Sequence, residues 1–156
     1  MVISAEDVVV HDCRKPSIIL REQYHIHIRE VFDTQIAYHL IQQQESDRTV
    51  PFGPLKQLNL LPIPFTQLQQ VYDPVGFVNR QPPPPTWSTR PVTDEVLSVA
   101  SEQALSLLPT IYRRINRLLS PKCMGRFYRL CQESVTAPSN IIPTIPDKMV
   151  SNDLPA

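Results

Sequence analysis

The stretch Asp7 to Gln43, DVVVHDCRKPSIILREQYHIHIREVFDTQIAYHLIQQ, decides the fold class, because within it two short β-branched or apolar runs alternate with two helical patterns. Asp7-Val-Val-Val-His11 is too apolar and too brief for a surface helix and predicts a buried strand. Asp12 to Ser17 then reads as a turn into a helix with Ser17 or Asp12 as cap candidates, and Ile18, Ile19, Leu20 and Tyr24 supply apolar contacts over Ile18 to His25. Ile28 to Phe32 predicts a second strand. It ends at Asp33-Thr34, after which Ile36, Ala37, Leu40 and Ile41 recur at helical spacing and mark a helix from about Thr34 to Gln43. Strand, helix, strand, helix is the pattern of a parallel βαβ crossover, so the expected class is α/β.

Outward from this unit the pattern changes. Residues 45–88 hold no sustained period and carry Pro51, Pro54, Pro62, Pro64, Pro74 and Pro82 to Pro85, which predicts a long proline-rich loop with one short helix around Thr66 to Val71. Beyond it Thr93 is an N-cap, with Asp94 and Glu95 in the first turn where carboxylates complement the helix dipole. A long helix follows, with Leu97, Ala100, Ala104, Leu107, Leu108, Ile111, Ile115, Leu118 and Leu119 as its apolar stripe, and Pro109 should kink or split it. The expected organisation is a domain over 1–122, followed by a basic and then proline-rich flexible tail over 123–156, structureless from Ser134.

Composition bounds the function classes. The 156 residues hold 15 Lys and Arg against 15 Asp and Glu, so net charge offers no overall case for a nucleic-acid partner. Cys13, Cys123 and Cys131 form no CxxC pair, which predicts free thiols and a reducing, cytoplasmic setting. No apolar run is long enough for a membrane span and no signal-peptide pattern opens the chain, so no membrane role is expected.

Two blocks carry a family resemblance. Trp87 and, in Arg90 to Leu119, Arg90-Pro91, Leu97, Ala100, Leu107-Leu108 and Tyr112 resemble the last conserved block of the ribonuclease D-like 3′-5′ exonucleases. Val8-Val-Val-His-Asp-Cys-Arg14 with Val31-Phe-Asp-Thr-Gln-Ile-Ala37 resembles the strand and helix around the second motif in the Egalitarian-like and piRNA-biogenesis exonuclease-domain proteins. Together the blocks span roughly residues 7 to 120. The resemblance implies a ribonuclease H-like fold, N-terminally incomplete here, and hydrolysis of a 3′-terminal phosphodiester by two Mg²⁺ or Mn²⁺ ions.

That chemistry needs four carboxylates, because two divalent cations about 4 Å apart repel and must be held by anionic oxygens. Against the family pattern, Pro16 stands at the third ligand, Gln103 at the fourth and Val99 at the tyrosine that orients water. The first pair would lie upstream of the first strand, where only about six residues stand. Glu102 does not replace Gln103, since one residue turns a helix by about 100°. No catalytic residue, no metal ligand and no cofactor are therefore expected, and the enzyme assignment stays open between an inactive module and a fragment or isoform of an active exonuclease.

The remaining features each have a plain structural reading. Asp12 and Asp33 fit a strand end and a helix cap rather than surviving ligands. His11, His25, His27 and His39 lack cysteine or carboxylate at zinc spacing. Gln81-Pro-Pro-Pro-Pro-Thr-Trp87 fits a stiff connector leading Trp87 into the core better than a ligand for an SH3 or WW domain. The local basic patch is Arg113, Arg114, Arg117, Lys122, Arg126 and Arg129, with no acid among them and with Tyr112, Phe127 and Tyr128 interleaved. Cations for phosphates and aromatics for bases suit single-stranded RNA, and the competing reading is a solvated helix face. The expected role is an inactive exonuclease-like module binding RNA through Arg113, Arg114, Arg117, Lys122, Arg126, Tyr128 and Arg129, with protein partners or a second copy as further candidates.

Overall fold

The computed structural model describes residues 2–3, 8–45, 62–75, 87–88 and 90–137. Its elements in chain order are β1 (Val2–Ile3), β2 (Val8–Val10), α1 (Arg14–Tyr24), β3 (His27–Ile28), β4 (Val31–Asp33), α2 (Thr34–Glu45), α3 (Phe65–Tyr72), α4 (Asp94–Leu105), a π-helical segment (Ser106–Tyr112), α5 (Arg113–Leu118) and α6 (Pro121–Thr136). Two short parallel pairs form: Val2 to Ile3 on His27 to Ile28, and Val8 to Val10 on Val31 to Asp33. The second pair with α1 between its strands is the βαβ unit expected from Asp7 to Gln43. A helix-rich chain with parallel strand pairs is compatible with the α/β class.

Asp33 ties this unit together. Its buried carboxylate accepts the backbone N–H groups of Asp12 (3.0 Å), Cys13 (2.8 Å) and Gln35 (2.9 Å). The first two lie in the turn that leads into α1 and the third in the first turn of α2, so one side chain caps α2 and fixes the entry to α1. Neither Ser17 nor Asp12 caps α1, whose N-cap position is Cys13 without a side-chain bond of its own. The helix starts at Arg14 rather than Ile18, directly after the turn that Asp33 holds from across the strand pair. Asp12 itself has φ 56° and holds Arg14 through two bonds of 2.7 and 2.8 Å.

The core is built on Phe32, which meets Phe127 at 4.7 Å and Tyr112 edge-on at 4.8 Å between ring centres. Around it pack Ile36, Leu40 and Ile41 of α2, Leu68 of α3, Ile111, Ile115, and Leu130 of α6. A smaller cluster of Cys13, Val31 and Val135 closes the other side of the strands. Helix α3, Phe65–Tyr72, falls where the short helix was expected; residues 46–61 and 76–86 lie outside the described residues. Ile63 leads into it and is held from both sides, its N–H donating to Gln35 Oε1 (3.1 Å) and its carbonyl accepting from His11 Nε2 (2.6 Å).

Three expectations are corrected. The segment after 122 is not a tail over its first part: α6 runs to Thr136, Phe127 is 0% exposed, and Leu130, Cys131, Ser134 and Val135 are buried. The apolar spacing at 127, 130, 131, 134 and 135 is helical, and the helix packs on α1, α2 and β4. Residues 138–156 lie outside the described residues. Trp87 does not enter the core and is 52% exposed.

The stripe read along the long helix is also only partly buried. Leu97 (52% exposed), Ala100, Ala104, Leu108 and Leu118 face outward, whereas Val96, Ile111, Ile115 and Leu119 are buried. Pro109 explains the break in phase. Lacking an N–H, it neither ends the helix nor simply bends it, but lies in seven residues of wider π turn that rotate the following residues relative to α4. Thr93 does cap α4, its Oγ1 accepting Val96 N–H at 3.4 Å.

Candidate nucleic-acid interface

Helices α5 and α6 are joined by Leu119 and Ser120 alone, and Gln44 of α2 fixes that corner. Its amide donates to Leu118 O (3.1 Å) and its Oε1 accepts Ser120 N–H (3.0 Å). Ile115 and Leu119 anchor one side of the corner, and Phe127 and Leu130 the other. With the apolar positions buried, Arg113, Arg114 and Arg117 on α5 and Lys122 and Arg129 on α6 are exposed. Arg129 lies 3.8 Å from Glu133, one helical turn on.

Arg126 differs from its neighbours. It is half-buried, and its Nε and one terminal nitrogen are shielded from solvent with no hydrogen-bond partner among the described residues. Burial and then the charge of Arg129 hold its proton less tightly than usual, against a smaller opposing effect of Cys123. An incompletely satisfied guanidinium beside another cation raises the local positive potential.

The aromatic part of the expected interface shrinks. Phe127 is core and Tyr112 is half-buried against Phe32, because both are spent on packing. Tyr128 remains, 44% exposed and edge-on to Phe127 at 5.2 Å, as the aromatic ring of the patch able to offer a face to a base.

At the positions where the family pattern would place its metal site, Pro16 is exposed in the first turn of α1, where a missing N–H costs nothing. Val99 is half-buried and Gln103 exposed on α4. Asp12 is occupied by Arg14; burial raises its pKa, but the hydrogen bonds and charge of Arg14 outweigh that and hold it below the ordinary value. Asp33 is spent on its three backbone donors. Among the described residues no three His, Cys, Asp or Glu side chains converge closely enough to hold a metal ion. Burial pushes the Cys131 thiol up to about 12 and raises Cys13 further, so neither is a nucleophile near neutral pH.

The chain is 33% identical over 141 residues to an Egalitarian protein homolog of Caenorhabditis elegans, across 85% of its own length and 23% of that protein's. It is also 31% identical over 117 residues to the piRNA biogenesis protein EXD1 of Homo sapiens, across 72% of its own length and 22% of that protein's. The chain is related to both. It spans less than a quarter of either relative, so it corresponds to one part of each. No family model matches the chain. No solved structure matches it either. Among the described residues no helix is long and apolar enough to cross a membrane.

Proposed function

We propose that this chain is a 3′-5′ exonuclease-like, RNA-associated domain with the ribonuclease H-like topology of that superfamily, which binds single-stranded RNA and does not cleave it. The observation that carries this reading is the run from Arg113 to Arg129, where exposed cations on two helices follow one another with no acidic residue between them in the sequence. One relative is named for piRNA biogenesis, which makes RNA the natural polyanion. The phosphate backbone would lie along Arg113, Arg114, Arg117, Lys122, Arg126 and Arg129, with a base against Tyr128.

Inactivity follows from the donor set. Proline at 16 has no side-chain oxygen, the amide of Gln103 carries no charge, and Val99 cannot orient water. These residues do not fit a pair of Mg²⁺ or Mn²⁺ ions, so no hydrolytic step is written through them. A cytoplasmic location and a protein partner or second copy of the chain belong to the same proposal, the latter read by sedimentation velocity.

The test uses the 156-residue chain with 5′-labelled single-stranded RNA in Mg²⁺ or Mn²⁺. Retarded, full-length RNA is expected. Shortened products that disappear on adding chelator would overturn the inactive-module reading in favour of a fragment or isoform of an active exonuclease.

A further inference from the structure

Between α1, β3 and the end of α6 lies an open-sided cavity of about 260 Å³. Arg21, His27 and Arg29 line it with Ser17, Gln132 and Val135, and among the described residues no carboxylate does. At this size it sits just below the range of small-molecule sites, roughly 300–1,000 Å³, and takes one small ligand rather than a stretch of polymer.

Its cationic wall is held in place from behind. Arg21 donates to the carbonyls of Val135 (3.3 Å) and Ala137 (3.1 Å) at the end of α6. Glu22 is a loose partner of Arg21 at 3.9 Å and is not part of the lining. Ser17 closes the floor, 3% exposed with its hydroxyl shielded.

We propose that this cavity binds the phosphate of a nucleotide. Two guanidinium groups and an imidazole match a phosphate's charge and its array of acceptor oxygens. Ile28 and Val135 form an apolar wall against which the nucleoside lies. Gln132 offers both a donor and an acceptor to its polar edge. The phosphate comes either from a free nucleotide or from the 5′ end of an RNA, two sources of one chemistry. This site shares α6 with the basic surface but none of the residues assigned to it, so either can fail without the other.

The experiment is calorimetric and thermal-shift titration of the 156-residue chain with adenosine 5′-monophosphate, with inorganic phosphate as the minimal probe. Adenosine monophosphate is expected to bind and raise Tm, and phosphate to bind more weakly. Arg29→Gln, at an exposed position, should weaken binding on the order of tenfold while leaving the unliganded Tm unchanged.

Arg113→Gln with Arg114→Gln should leave nucleotide binding unchanged. Competition by a 5′-phosphorylated oligoribonucleotide but not its 5′-hydroxyl form would make the source an RNA end; no competition by either would make it a free nucleotide. Absence of binding by adenosine monophosphate, or equal binding by parent and Arg29→Gln, would overturn the proposal.

Discussion

Asp33 occupies a position where a carboxylate is required and an amide would fail. Its two oxygens accept three backbone N–H groups, from Asp12, Cys13 and Gln35, in a buried setting. Asp33→Asn would turn an NH₂ towards one of those donors and leave it unsatisfied. A loss of about 1–3 kcal/mol is expected in the urea unfolding free energy. Asp12 makes a different prediction, in pH. Burial raises its pKa but the bonds and charge of Arg14 prevail, so the folded value lies below the ordinary 3.8. The stability it contributes is present above the unfolded pKa and is lost as pH falls through the folded one. Urea midpoints should therefore decline with pH below about 4, and Asp12→Asn should remove part of that decline; identical profiles would show the pair to be energetically silent.

Among the elements, α6 matters most. Most of it falls in the stretch from 123 that reads along the sequence as a basic, flexible tail. Yet Phe127, Leu130, Cys131 and Val135 recur at 3.6-residue spacing and fill the space over Phe32 and Val31. Phe127→Ala should cost about 3–5 kcal/mol, if α6 is integral to the core. A change under about 1 kcal/mol in chemical denaturation would instead mean that α6 is dispensable. The π segment shows why the stripe of the long helix misled. Periodicity assumes a constant turn, and seven residues of wider turn around Pro109 break it, so that Leu97 and Leu108 face outward while Ile111 and Ile115 face inward.

For the whole molecule, neutral net charge conceals a local field. The 15 basic and 15 acidic residues cancel in sum, but the exposed cations of α5 and α6 stand in a run without acids. If they hold RNA, replacing Arg113, Arg114 and Arg117 by Gln should weaken binding at all sequences. It should also lower the slope of log K against log salt by about 2, since each single-strand phosphate contact contributes about 0.7. A filter-binding series at four salt concentrations would read this. An unchanged slope would return these residues to the role of a solvated helix face.

The sequence by itself determined the βαβ unit, the cap at Thr93 and the capping role of Asp33. Each is a local matter of residue type and spacing, and hydrophobic period and side-chain chemistry act over a few residues. Only the tertiary structure decided that Asp33 reaches back to the turn that leads into α1, that Phe127 and Tyr112 are spent on the core while Tyr128 is not, and that Trp87 stays outside. It alone brought Ser17 and Arg21 of α1 beside Gln132 of α6 across more than a hundred residues of chain. Burial and convergence are properties of packed surfaces, and no window along the chain contains them.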